Sequence, residues 1–233
     1  PVFGVPVSVH WTFALIGIIV LRVYDPAEVV GWVVGVFLAV LSHELGHALT
    51  ARAFGARSVK ITLFGLGGLT QYPADTELTP GKRFLIAASG SAVGMTLGGA
   101  LFLARNTDLI TSLFPFGGAL YNGFVVAGLV WGALNWLPIL PLDGGNMAWH
   151  ALEFVTPRGA LRIAKGLTLV TAAFVAFMAI NLWDNTFGAV FVVIIALQGL
   201  RIPEPGSSPK PRPQPAPAEQ DSLLDIFDKP RDQ

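Results

Sequence analysis

Residues 29–54 read VVGWVVGVFLAVLSHELGHALTARAF. Positions 29–42 carry no charge, and the apolar pattern runs on through Leu45, Ala48 and Leu49 to Phe54. A helix over this stretch is long enough to cross the hydrocarbon core of a bilayer. Inside it sit His43, Glu44 and His47, the pattern HExxH. Positions i and i+4 of a helix share a face. Both imidazoles can therefore reach one metal ion, with Glu44 beside them to act on the metal's water. Two histidines hydrogen-bonded within a bundle would be the plainer reading. Their place inside a span opposes it, because ionisable residues there are costly and mark function by default.

The rest of the chain extends the same picture. It has 233 residues, 53% hydrophobic and only 13% charged, with a mean hydropathy of +0.61. Fifteen basic and fifteen acidic residues cancel, which excludes a basic nucleic-acid binder and an acidic solvating chain. The absence of cysteine excludes a disulfide scaffold, thiolate metal sites and cysteine catalysis. Residues 1–21, 84–104, 109–142, 166–183 and 185–200 are also free of charge. We expect an all-α polytopic membrane protein with six transmembrane helices, near 7–24, 29–54, 82–104, 118–138, 160–182 and 185–201. A cleavable signal peptide is not expected, since the first span lacks a basic start and no charge-rich domain follows it.

Thirteen of the fifteen basic residues fall between spans two and three, between four and five, or after six. Only Arg22 and Arg105 fall on the other side. The positive-inside rule then makes both termini cytoplasmic in a multi-pass protein of the cell membrane. Residues 1–202 form the six-span domain. Residues 203–233 form a Pro-rich cytoplasmic tail that reads as an extended, disordered linker. Within the tail, SLLDIFDKP (222–230) has a short amphipathic pattern that could dock a partner.

Two histidines leave a zinc site incomplete, because a catalytic zinc ion takes about three protein ligands. Without cysteine the third is His, Asp or Glu. Asp143, at the end of NWLPILPLDGG (135–145), is the leading candidate. Spans two and four run in the same direction, so His43 and Asp143 fall at similar depth. An ordinary Asp-Gly turn is the plainer reading of Asp143. His10 and His150 compete for the same place. His10 adjoins Trp11 as an interfacial anchor would, and His150 falls on a short helix beyond Asp143.

Between spans two and three, Val59, Ile61 and Leu63 alternate with Lys60, Thr62 and Phe64, which is strand periodicity. Gly65, Gly67 and Gly68 then interrupt it. We expect a small re-entrant β-hairpin between helices 2 and 3, since non-helical backbone is tolerated at membrane depth where it lines a cavity. Phe64, Gly65, Gly67 and Gly68 would bind substrate by offering a strand edge to an extended peptide.

HELGH in span two, then GGLTQ, then NWLPILPLDGG, preceded by GVPVSVHWTF at the start, resemble the site-2 protease family of intramembrane zinc metalloproteases. The likeness covers roughly residues 3–200 and is to the compact six-span prokaryotic type without PDZ or CBS domains. The resemblance implies that His43, His47 and Asp143 hold one Zn2+ per chain and that Glu44 is the catalytic base. It makes Asn135 a second catalytic group, steadying the substrate carbonyl or its oxyanion. It also implies cleavage of a peptide bond within or near the membrane segment of a single-span protein, such as an anti-sigma factor or a membrane-tethered regulator. One departure stands out. Relatives often carry Ala-Gly-Pro in span three, where this chain has Ser89-Gly90-Ser91. Two other classes compete, a non-catalytic membrane binder of single-span proteins and a metal or ion transporter.

Overall fold

The chain is described from a computed structural model, over residues 1–21, 25–65, 67–73, 76–104 and 117–204. The expected tail motif at 222–230, part of the Pro-rich segment and the end of the first expected span lie outside the described residues. Among the described residues, four helices are long and apolar enough to cross a membrane. They are α2 (Pro26–Ala53), α3 (Pro80–Leu103), the interrupted span Gly117–Asn135, and α7 (Ala160–Trp183). A shorter apolar helix, α8 (Thr186–Leu200), follows α7. The protein is thus a mostly helical, multi-pass membrane protein.

Helix α2 begins where Pro26 occupies its first turn, a position that needs no backbone donor. The Asp25 N–H donates to the Glu28 carboxylate at 3.4 Å. The helix stops at Phe54, and Gly55 follows at φ +104°, which only glycine adopts without strain. On one side α2 meets α4 (Gly117–Val126) through Gly35 and Gly123, where any Cβ would strike the facing backbone. On another it meets α3 at Gly46, where a Cβ would lie 2.7 Å from the Ser89 carbonyl oxygen. Glycines on both sides let these backbones approach closely, as in other membrane helix pairs.

The hairpin forms as β2 (Lys60–Phe64) and β3 (Gly67–Gln71), antiparallel, with Leu63 opposite Gly68. A third strand was not expected. β1 (Val7–Val9) lies parallel to β2, with Val7 opposite Ile61. The expected first span from residue 7 is therefore corrected: a strand comes first, then a 3-10 turn over Trp11–Ala14, and α1 occupies Leu15–Val20. The reason is a period-2 pattern inside an uncharged run: Val5, Val7 and Val9 alternate with Pro6, Ser8 and His10. Ile61 N–H donates to Pro6 O at 2.9 Å, and His10 N–H donates to Leu63 O at 2.8 Å. Val5, Ile61 and Leu63 are fully buried against Val36, Val40, Ala48 and Ala51 of α2. The sheet is thereby fastened to the face of α2 that carries the HExxH.

The interrupted span changes pitch midway. After α4 comes a π-helical turn over Ala127–Trp131, then α5 (Gly132–Asn135). Gly128 packs there against Gly94 and Gly98 of α3. A tight loop returns the chain into α6 (Asp143–Leu152). The loop is tied on both sides. Leu140 N–H donates to the Thr168 hydroxyl of α7 at 2.9 Å. Asn146 Nδ2 donates to Pro141 O at 2.9 Å and to Leu142 O at 3.1 Å.

Candidate metal centre

Helix periodicity stacks His43 and His47 on one face of α2, and the first turn of α6 brings Asp143 to them. Their ligand-capable atoms all lie within 4.8 Å of one another. The two Nε2 atoms are 3.1 Å apart. His43 Nε2 is 3.2 Å from Asp143 Oδ2, and His47 Nε2 is 3.3 Å from Asp143 Oδ1. Tetrahedral zinc with bonds of about 2.1 Å sets its ligand atoms about 3.4 Å apart, so the spacing suits that ion. The protonation pattern suits it too. His47 Nδ1 donates to Ile86 O at 2.6 Å, which leaves the Nε2 lone pair facing the other two groups. Both histidines are nine-tenths buried. The donor set therefore fits zinc.

Neighbouring elements hold these groups in place. Gly90 of α3 lies against the His47 ring, with no room for a Cβ. Glu44, 4% exposed, points toward the sheet, and the Thr70 hydroxyl donates to its Oε2 at 2.7 Å. Gly68 faces the same carboxylate, and a Cβ there would overlap it. Gly68 and Thr70 share one face of β3 because strand side chains alternate. Ser91, fully buried in α3, donates to Asp143 Oδ2 at 2.7 Å. Sequence reasoning missed Thr70 and Ser91 as parts of the site. The period of β3 and the unusual Ser89-Gly90-Ser91 segment were the only signals.

A cavity of about 510 Å³ opens beside these groups. His43, Glu44, His47, Asn135 and Asp143 all line it, as do Phe64, Gly67 and Gly68 of the hairpin. Gly65 does not. It turns to the amino-terminal segment, where its N–H donates to Thr12 Oγ1 at 3.2 Å. His10 is exposed and away from the cavity, and its Nδ1 accepts from the Thr12 hydroxyl at 2.8 Å. His150 is buried and does line the cavity, but its Nδ1 is engaged with Glu153 Oε2 at 3.0 Å. Burial lowers the His150 imidazole below its ordinary value of 6.5. The Glu153 contact opposes this, and the Arg83 charge adds to it. Burial raises the Tyr72 hydroxyl, against a smaller pull from Arg83.

Comparison with known proteins gives concordant results. The model of Peptidase family M50 matches residues 31–107. A Synechocystis protein named as a candidate zinc metalloprotease is 32% identical over 161 residues, covering 62% of this chain and 41% of that protein. A zinc metalloprotease of Methanocaldococcus jannaschii is 26% identical over 185 residues, covering 74% of this chain and 52% of that one. The chain spans about half the length of the curated relatives it matches. Among solved structures, a site-2 protease from Methanocaldococcus jannaschii superposes with a TM-score of 0.62 at 23% identity. That match covers 88% of this chain and 94% of the other. These matches bear out the kinship that the motifs carry, and the last one shows a shared fold.

Proposed function

We propose, from this kinship with the site-2 proteases, that the chain is an intramembrane zinc metalloprotease that cuts a single-span protein within or near its membrane segment. The observation that carries the reading is the convergence of His43, His47 and Asp143 within 4.8 Å, with the Glu44 carboxylate fixed beside them by Thr70. A zinc ion bound by the three ligands would supply a Lewis acid and an acidified water at neutral pH. Glu44 takes a proton from the attacking water and delivers it to the leaving amine. The Asn135 amide, lining the same cavity, steadies the developing oxyanion. The hairpin offers the outer edge of β3 to the substrate, unwinding it into an extended strand whose amide is open to attack. Phe64, Gly67 and Gly68 would contact it there. Anti-sigma factors and membrane-tethered regulators are the substrate class in view, and the tail segment 222–230 would dock a partner of its own.

The topology in this reading has six spans. β1 precedes α1 and β2 follows α2, yet both belong to one sheet. An even number of crossings between them fits the shared sheet, which supports a crossing by the segment holding α1 as well as by α2. At the other end, Lys165 Nζ near the start of α7 donates to Ile202 O beyond α8 at 2.6 Å. The same parity supports α8 as a span. The bias of Lys and Arg then favours cytoplasmic termini, and in this reading the hairpin re-enters the membrane beside the site. The test pairs metal analysis with cleavage in detergent-purified protein. Native chain should carry about one zinc. Asp143→Ala should lose it, and Glu44→Gln should keep it while cleavage falls by at least about a hundredfold. Full activity in Glu44→Gln, or a native chain without metal, defeats the reading.

A further inference from the structure

Asp143 reaches the site from a different element than the two histidines, so something must aim its carboxylate. The ties on the preceding loop, from Thr168 and Asn146, hold backbone only. Among the described residues, the carboxylate itself meets His43, His47 and Ser91. The imidazole contacts would be given up to an ion. The Ser91 contact would not.

The choice that Ser91 makes is informative. A serine inside an apolar helix usually satisfies its hydroxyl on a carbonyl one turn back. Ser42 does so, donating to Leu38 O at 2.7 Å. Ser89 does so as well, donating to Ile86 O at 2.7 Å. Ser91, fully buried and two residues further along, donates across to α6 instead. Its 2.7 Å bond to a carboxylate is of the short, charge-assisted kind. Helix α3 also supplies the Ile86 carbonyl that receives His47 Nδ1–H. It contributes no ligand, yet it orients one ligand from α2 and one from α6.

We propose that Ser91 is a positioning residue of the metal centre, holding the Asp143 carboxylate ready to bind before an ion arrives. The proposal rests on the metalloprotease reading and specifies how its site is preorganised. Loss of such an outer partner typically weakens metal binding about 10–100-fold. Zinc affinity would be measured by chelator competition on detergent-purified native chain, Ser91→Ala, Ser91→Thr and Ser42→Ala. Ser91→Ala should weaken zinc by about 10–100-fold, while the metal-free chain keeps the native helix content by circular dichroism. Ser91→Thr, which keeps the donor, should recover most of the affinity. Ser42→Ala, whose hydroxyl serves only its own helix, should bind as the native chain does. A Ser91→Ala chain with native zinc affinity, or equal weakening in Ser91→Ala and Ser42→Ala, overturns the proposal alone. A folded native chain that takes up no zinc overturns the metalloprotease reading and this proposal with it.

Discussion

Glu44 is the residue on which the proposed chemistry turns, and its surroundings explain how a carboxylate could serve there. It is nearly buried, yet Thr70 gives its Oε2 a donor at 2.7 Å and also reaches its backbone carbonyl at 3.1 Å. The carboxylate is therefore aimed by the strand that is proposed to receive substrate. Thr70→Val keeps the shape and removes the donor. A hydrogen bond to a charged group is worth about 1.5–3 kcal/mol, so kcat on a single-span substrate should fall about ten- to a hundredfold. Zinc content should not change. An unaltered kcat would mean that α2 alone holds Glu44 in place.

Among the elements, what could be read in the sequence was whatever rests on local pattern. The span expected at 29–54 forms at Pro26–Ala53, because its apolar run and flanking polar residues are continuous. The alternation at Val59–Phe64, broken by Gly65, gives the β2–β3 turn. β1 was hidden because its valines sit in an uncharged run that also suits a helix, and its partner Ile61 lies beyond α2. Ser91 and Thr70 were visible as polar residues, but their aim depends on how α3, α6 and the sheet meet. The glycines belong to this scale too. Gly35 and Gly123 have no room for a Cβ at the α2–α4 contact. Gly123→Leu should cost about 1–3 kcal/mol or more through overpacking, read as a lowered melting temperature in detergent. An unchanged melting temperature would show that the two helices can separate without penalty.

For the whole molecule, the decisive question is which ends of the spans face the cytoplasm. The chain lacks cysteine, so a single introduced thiol is a unique reporter. Ser58 and Thr186 are both exposed and fall at opposite ends of the proposed topology. In intact cells, Thr186→Cys should react with a membrane-impermeant maleimide. Ser58→Cys should react only after lysis, and the reverse pattern would invert the orientation. The parallel pairing of β1 with β2 also bears on biosynthesis. β1 is translated before α1 and α2 exist, so its edge stays open while those helices are threaded into the bilayer. In the proposed six-span topology, failure of either helix to insert would leave the two strands on opposite faces of the membrane, each with its amides unpaired. Unpaired strand edges are sticky. Misthreaded copies would thus display an exposed edge that correctly threaded copies have already concealed.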